Sequence, residues 1–331
     1  MNDFDLLSIG EAGLDVFLTP LETETLCEID SKKCLIAFSY GEKIPVKNLE
    51  FSVGHNAANN AVGAQRLGIR TGIVLTIGQD STADIILTKL KQEGVDTTFV
   101  VQQPSTTSNF SSVINYQGER TIFSYHAPRS YEFPVKLPNP SWVYLTSMGE
   151  SFRPFYNHIA EWLEKNPDIK LAFNPGTWQI RAGFEALQDI MRLTYMIYVN
   201  REEAEKLSNF PGESAGKEKE LLEALEKLGP KICVVTDGAS GAFAYNGQTF
   251  LKCGVLPVDA YERTGAGDAF GSGCLGALIK GKTLDEALVW GTVNSSSVIG
   301  YTGSQKGLLK EADMPIWLER AKSSGVKVVQ F

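Results

Sequence analysis

Chemistry is concentrated in the stretch ERTGAGDAFGSGCLGALIKGKT (262–283), where three phosphate-binding patterns overlap. Gly265-Ala266-Gly267-Asp268 is a short glycine turn that delivers a carboxylate. Gly271, Gly273 and Gly276 fit the dinucleotide pattern G-x-G-x-x-G, while Gly276, Gly281, Lys282 and Thr283 fit the P-loop pattern G-x-x-x-x-G-K-S/T. A P-loop needs a strand before its glycine loop and a helix after it, so that bare N–H groups wrap the phosphates. Here residues 277–280 extend a helical pattern running through Ala269, Gly273, Gly276 and Ile279, and Gly281 reads as that helix's stop. Thr283 and Glu286 then form a capping box for the next helix, which leaves Lys282 as a solvated turn residue. The dinucleotide pattern follows only Asp268-Ala269-Phe270, too short for the strand it requires; its small residues instead let a helix pack closely.

The TGAGD turn has the right flanks. CGVLPVDAYERT predicts a strand leading into a loop, and a helix follows. Gly265, Ala266 and Gly267 therefore sit on the first turn, where unpaired N–H groups and the helix dipole attract an anion. Asp268 shares that turn. It is either an ordinary helix-start carboxylate or a general base that takes a proton from an attacking hydroxyl; the local pattern leaves both open.

These residues need a scaffold, and the remaining chain supplies one. HNAANNAVGAQRLG (55–68) and STADIILTKLKQEG (81–94) predict helices ending at glycine, with the β-branched run TGIVLTIG (71–78) between them. Further strands are predicted at 142–149, 170–176, 195–200 and 232–238, separated by helical stretches at 152–165, 201–208 and 217–228. This alternation implies the α/β class, with a largely parallel central sheet and helices on both faces. Two segments break the rhythm. The one near 15–50 is β-rich without a helix, and 105–128 reads as a hairpin turning at Gln117-Gly118. Together they predict a small β-sheet lid, or alternatively a dimer surface, on a body formed by 1–14, 51–104 and 129–331.

Composition narrows the functions. The 331 residues carry a formal net charge of −8 with no basic stripe, which speaks against a nucleic-acid partner. At 43% hydrophobic and 21% charged residues, the composition is that of a globular protein. No apolar run is long enough to span a bilayer and the start MNDFDLLSIGEAG lacks a basic leader, so no membrane partner and a cytoplasmic location are expected. Cys27, Cys34, Cys233, Cys253 and Cys274 form no C-x-x-C pair, and the apolar run around Cys233 predicts a buried thiol. The only histidines are His55, His126 and His158, and no zinc site is expected from them.

Taken in order, the motifs resemble the ribokinase-like (PfkB) carbohydrate kinases over almost the whole chain. GEAGLDVFL is similar to the family's opening strand, and Asp15 matches the Asp that contacts sugar hydroxyls. VGHNAANNAVGAQRLG resembles the first signature, with Gly54 as its first glycine and Asn59 as its Asn, which would put Gly54, His55 and Asn59 against the substrate. YVNREEAEKL resembles the N-x-x-E motif, which would put Asn200 near the phosphates and Glu203 near magnesium, through water. VVTDGASGA is similar to the turn beside the nucleotide, through Thr236, Gly238 and Gly241; Asn294 and Gly303 would line the adenine pocket. ERTGAGDAF resembles the second signature, which assigns 265–267 to the anion hole and Asp268 to the base. Glu150 ends a strand and is a further candidate for the sugar side.

The resemblance implies ATP-dependent, magnesium-assisted transfer of the γ-phosphate to a hydroxyl of a sugar or sugar-containing small molecule. The alternatives are a nucleoside kinase, with Phe17, Phe110 or Phe123 stacking on a base, and a non-catalytic sugar- or nucleotide-binding regulator. Two departures stand out. His55 occupies the place of the usual second glycine, where a side chain would restrict backbone approach to the substrate. Glu262 and Arg263 replace the usual Asp and small residue beside a monovalent-cation site; this leaves potassium dependence open and predicts that Arg263 supplies fixed positive charge.

Overall fold

The structure, a computed structural model, describes residues 4–21, 23–27, 34–117, 119–134 and 136–331. Its main body is a ten-stranded sheet. In spatial order the strands are Asp96–Gln103, Thr71–Gly78, Leu6–Gly10, Trp142–Thr146, Lys170–Asn174, Thr194–Asn200, Ile232–Thr236, Ala242–Tyr245, Phe250–Cys253 and Val328–Gln330. The first seven run parallel and the last three pair antiparallel. Strands such as LLSIG and TGIVLTIG are buried at every position, as expected of parallel strands covered on both faces.

Helices cover both faces, and the core forms three clusters, one of them around Ala57, Ala61, Ile73, Leu75 and Ile86. Trp142, Tyr198, Phe270, Leu275 and Trp290 pack on one side, and Phe155, Ile159, Phe173, Ile190 and Leu222 on the other. Helix Ala266–Ile279 lies so close to its neighbours that side chains at its glycines would collide. A Cβ on Gly273 would stand 2.8 Å from the Trp290 carbonyl, and one on Gly276 would stand 2.9 Å from Leu67. Both overlapping glycine patterns are thus spent on helix packing. Gly281 ends the helix at φ 76°, and the Thr283 N–H donates to Glu286 at 3.0 Å in the expected capping box.

A four-stranded sheet stands apart, ordered Val46–Gly54, Gly13–Pro20, Asn109–Tyr116 and Glu119–Tyr125. It springs directly from the body, since Gly13–Pro20 follows strand Leu6–Gly10 after two residues. Strand Val46–Gly54 carries this sheet beyond the boundary expected at residue 50. The hairpin between the last two strands is present, although Gly118 of its expected turn lies outside the described residues, as do 28–33 in the first segment. One expected strand is shorter than predicted. The ladder stops at Cys253, and the segment around Pro257 runs without strand pairing, in keeping with proline's missing N–H. Among the described residues no helix is long and apolar enough to cross a membrane.

Candidate active site

The predicted carboxylates meet where the parallel strands end, the usual ligand position in open α/β sheets. Gly265 precedes helix Ala266–Ile279 with φ 78°, and a Cβ on it would lie 2.3 Å from that of Ser304. Left-handed backbone and close approach together demand glycine there. No side chain caps this helix, so its first-turn N–H groups stay available to an anion, apart from Ala266, which donates to the Arg263 carbonyl at 3.3 Å.

Asp268 lies half-buried in this turn, and a chain of polar contacts fixes it. The Asn59 amide donates to Asp268 Oδ2 at 2.7 Å. The Asn59 carbonyl oxygen accepts from Ser304 Oγ at 2.8 Å and from Gln305 Nε2 at 3.1 Å, which settles which way the amide points. Arg66 in turn donates to the carbonyls of Gln305 and Leu308 at 2.7 and 3.0 Å, and Glu93 grips Arg66 at 2.7 Å. Burial pushes the Asp268 carboxyl up to about 6, the Asn59 hydrogen bond opposes the rise and the charge of Asp15 adds to it.

Asp15 is buried on strand Gly13–Pro20, and a Cβ on Gly54 would stand 2.2 Å from its Oδ2. Burial raises its carboxyl above the ordinary range, against the opposing pull of His55 and Ser111. His55 Nε2 is 3.8 Å from Asp15 Oδ1. The His55 backbone has φ 69° and ψ 153°, a region essentially reserved for glycine. Next to it, buried Glu11 accepts from Tyr131 Oη at 2.7 Å and lies 3.2 Å from His126 Nδ1. Burial pulls Glu11 upward, yet the His126 and Tyr131 hydrogen bonds outweigh it and hold the carboxyl low. The same bond to Glu11 raises the His126 imidazole, whereas burial lowers that of His55.

A model described as pfkB family carbohydrate kinase matches residues 23–311. The chain belongs to that family. It is an ATP-dependent carbohydrate kinase, a phosphotransferase with an alcohol acceptor. The kinase is 26% identical over 312 residues to an ATP-dependent 6-phosphofructokinase of Thermoanaerobacterium thermosaccharolyticum, covering 91% of this chain and 89% of the relative. It is 25% identical to a ribokinase of Haemophilus influenzae, covering 85% of this chain and 92% of the relative. Among solved structures, Arabidopsis thaliana ribokinase complexed with ribose and ATP superimposes with a TM-score of 0.79 at 18% identity, covering 96% of this chain and 99% of that one. A nucleoside kinase of Methanocaldococcus jannaschii gives 0.74 at 19% identity, covering 96% and 99%. These likenesses establish the ribokinase-like fold.

The nucleotide side of the kinase departs from expectation in places. Asn200 and Glu203 complete a capping box on helix Arg201–Leu207, the Glu203 N–H donating to Asn200 Oδ1 and the Asn200 N–H to Glu203 Oε2, both at 2.9 Å. Burial raises the Glu203 carboxyl, and the charge of Asp268 contributes. Thr236 ends strand Ile232–Thr236, and Gly238 and Gly241 shape the turn after it with φ 48° and 90°. Asn294 does not face a cleft. It is fully buried, donating to the Ala269 carbonyl at 2.7 Å and accepting from the Leu309 N–H at 2.9 Å, so its amide braces the helix that carries Asp268. Gly303 packs against the small sheet, where a Cβ would lie 2.9 Å from Ser52 Oγ. Glu150 is exposed on a turn, next to Gly149, whose N–H donates to Tyr131 Oη at 2.7 Å.

Arg263 is exposed, while Glu262 is buried, accepts from the Thr264 N–H at 2.6 Å and stands 4.0 Å from Arg120 of the small sheet. The aromatics weighed for base stacking divide between the two faces of the small sheet. Phe17 is buried, and the strand registers put Phe110 and Phe123 on the face of the small sheet opposite Asp15, Ser111 and Ser124. Glu11, His126 and Tyr131 were not foreseen. Glu11 had a readable signal, a carboxylate at the C-terminal end of a buried parallel strand; His126 and Tyr131 had none without the tertiary contacts.

Proposed function

We propose that Asp268 is the general base of the kinase, that the 265–267 turn is its anion hole, and that Asp15 with Gly54 and His55 holds the acceptor sugar. The observation that carries this reading is a carboxylate oriented by Asn59 at 2.7 Å, beside an uncapped helix N-terminus, with its pKa pushed up to about 6. A base with that pKa is ionised at neutral pH yet accepts a proton readily from an attacking hydroxyl. Asp268 deprotonates the acceptor as its oxygen attacks, and the Gly265 and Gly267 amides receive the negative charge of the transferred phosphoryl group. Asp15 fixes the sugar through its hydroxyls, and Asn59 is a positioning residue rather than a sugar contact.

ATP supplies the γ-phosphoryl group, and Mg2+ neutralises phosphate charge when it is bound. Glu203, half-buried and sensitive to the charge of Asp268, fits a water-mediated role toward that ion. Asn200, Thr236, Gly238, Gly241 and Gly303 border the nucleotide. Asn294 is left out because its amide is fully used within the protein. Arg263, solvent-facing beside the anion turn, supplies positive charge to the phosphates, and potassium is not required for it to do so. The small sheet is a lid that excludes water, and the enzyme works in the cytoplasm. A sugar is favoured over a nucleoside because Phe110 and Phe123 face away from Asp15 and Phe17 is buried.

The test is magnesium-dependent ADP release across a panel of free sugars, sugar phosphates, sugar acids and nucleosides. Stimulation by a sugar-type acceptor is expected. Stimulation by nucleosides alone would replace the sugar reading, and no stimulation by any acceptor would favour a binding protein.

A further inference from the structure

Three residues far apart in sequence converge where the small sheet joins the body. Glu11 lies between strands Leu6–Gly10 and Gly13–Pro20, His55 follows strand Val46–Gly54, and His126 follows strand Glu119–Tyr125. One donor atom from each lies within 4.8 Å of the other two. We propose that Glu11, His55 and His126 form a binding site for a divalent transition metal of the zinc class, which clamps the joints of the lid.

The chemistry of the donors supports this. Two imidazoles and one carboxylate make a ligand set that suits zinc and leaves a fourth position for water or a substrate oxygen. In a tetrahedral site with zinc bonds near 2.0 Å, ligand atoms stand about 3.3 Å apart. Glu11 Oε2 and His126 Nδ1 already stand 3.2 Å apart. Their remaining polar atoms are held from behind, as metal ligands generally are: Tyr131 Oη donates to Glu11 Oε1 at 2.7 Å, and Ser124 Oγ meets His126 Nε2 at 3.1 Å. The His55 ring stands edge-on to that of His126 at 5.6 Å between centroids, which keeps a His55 nitrogen within 4.8 Å of the other two donors. The half-exposed His126 provides an entry path, while Glu11 is buried at 2% exposure.

The sequence concealed this site. Its ligands are separated by 44 and 71 positions (from 11 to 55 and from 55 to 126), and no local spacing relates them. A bound metal would tie together the three places where the paired strands of the small sheet meet the body. Asp15 lies beside it, its Oδ1 3.8 Å from His55 Nε2, so the site adjoins the proposed acceptor pocket.

The probe is Zn2+ titrated calorimetrically into chelator-stripped, nucleotide-free full-length protein, with Co2+ absorption reporting geometry. Zinc binding is thereby separated from kinase activity, so failure of either leaves the other readable. His55→Gly is the central variant, because glycine suits the backbone at φ 69° and the fold should be retained. His126→Ala is the second, and His158→Ala, which alters an exposed histidine outside the cluster, is the control. Expected are one Zn2+ per chain, tetrahedral Co2+ bands, and affinity weakened about tenfold or more in both ligand variants but unchanged in the control. Absence of stoichiometric binding, or binding that survives His55→Gly and His126→Ala undiminished, would overturn the site.

Discussion

Asp268 is held at a cost, and the cost is measurable. Burial pushes its carboxyl up to about 6 in the folded chain, from an ordinary 3.8. A carboxyl raised on folding favours the folded state at low pH, and that favour is lost as pH climbs from 3.8 to about 6. At neutral pH the penalty is about 3 kcal/mol. Asp268→Asn, which keeps the Asn59 contact without the charge, should therefore melt several degrees above wild type at pH 8, with the difference vanishing below pH about 4. A variant no more stable at pH 8 would show that the carboxylate is not strained. His55 carries a second local cost. Its backbone suits glycine alone, so His55→Gly should be more stable than His55→Ala by about 1–3 kcal/mol; equal denaturation midpoints would remove the strain.

At the scale of elements, helix Ala266–Ile279 orients its base through loop 304–308 rather than directly through the sheet. Arg66 ties that loop to helix Asn56–Arg66, and the loop's Ser304 and Gln305 set the Asn59 amide. Asn59→Ala removes the hydrogen bond that lowers the Asp268 pKa, so the acid limb of kcat should move to higher pH while activity at pH 9 recovers much of its value. An unmoved limb would mean Asn59 contacts the sugar instead. Much of this scaffold was legible in the sequence. The run TGIVLTIG and the alternation after residue 55 announced buried parallel strands, and the Thr283–Glu286 box decided against a P-loop. Asn294 was not legible, because an Asn on a helix carries no mark of which neighbour it binds. Glu11 and His126 likewise acquire meaning only when three lid strands bring their ends together.

For the molecule as a whole, the lid has two unlike faces. Asp15, Ser111 and Ser124 share one, and the other exposes Phe51 at 64%, Phe123 at 62%, Leu49 and Tyr125 at 50% and Phe110 at 36%. A row of exposed apolar side chains on an open sheet is a surface that associates. We propose that this face pairs with a second copy of the chain. Phe51→Lys combined with Phe123→Lys should shift sedimentation from dimer to monomer without unfolding the body, and an unchanged sedimentation coefficient would exclude this face.

The central claim is that Asp268 removes the acceptor's proton. The measurement is kcat against pH for wild type and Asp268→Asn with the best acceptor, at saturating ATP and magnesium. A wild-type acid limb near pH 6 and a loss of about a hundredfold or more in the variant are predicted, with little change in acceptor KM. A variant within a few-fold of wild type, or an unchanged acid limb in it, would contradict the assignment.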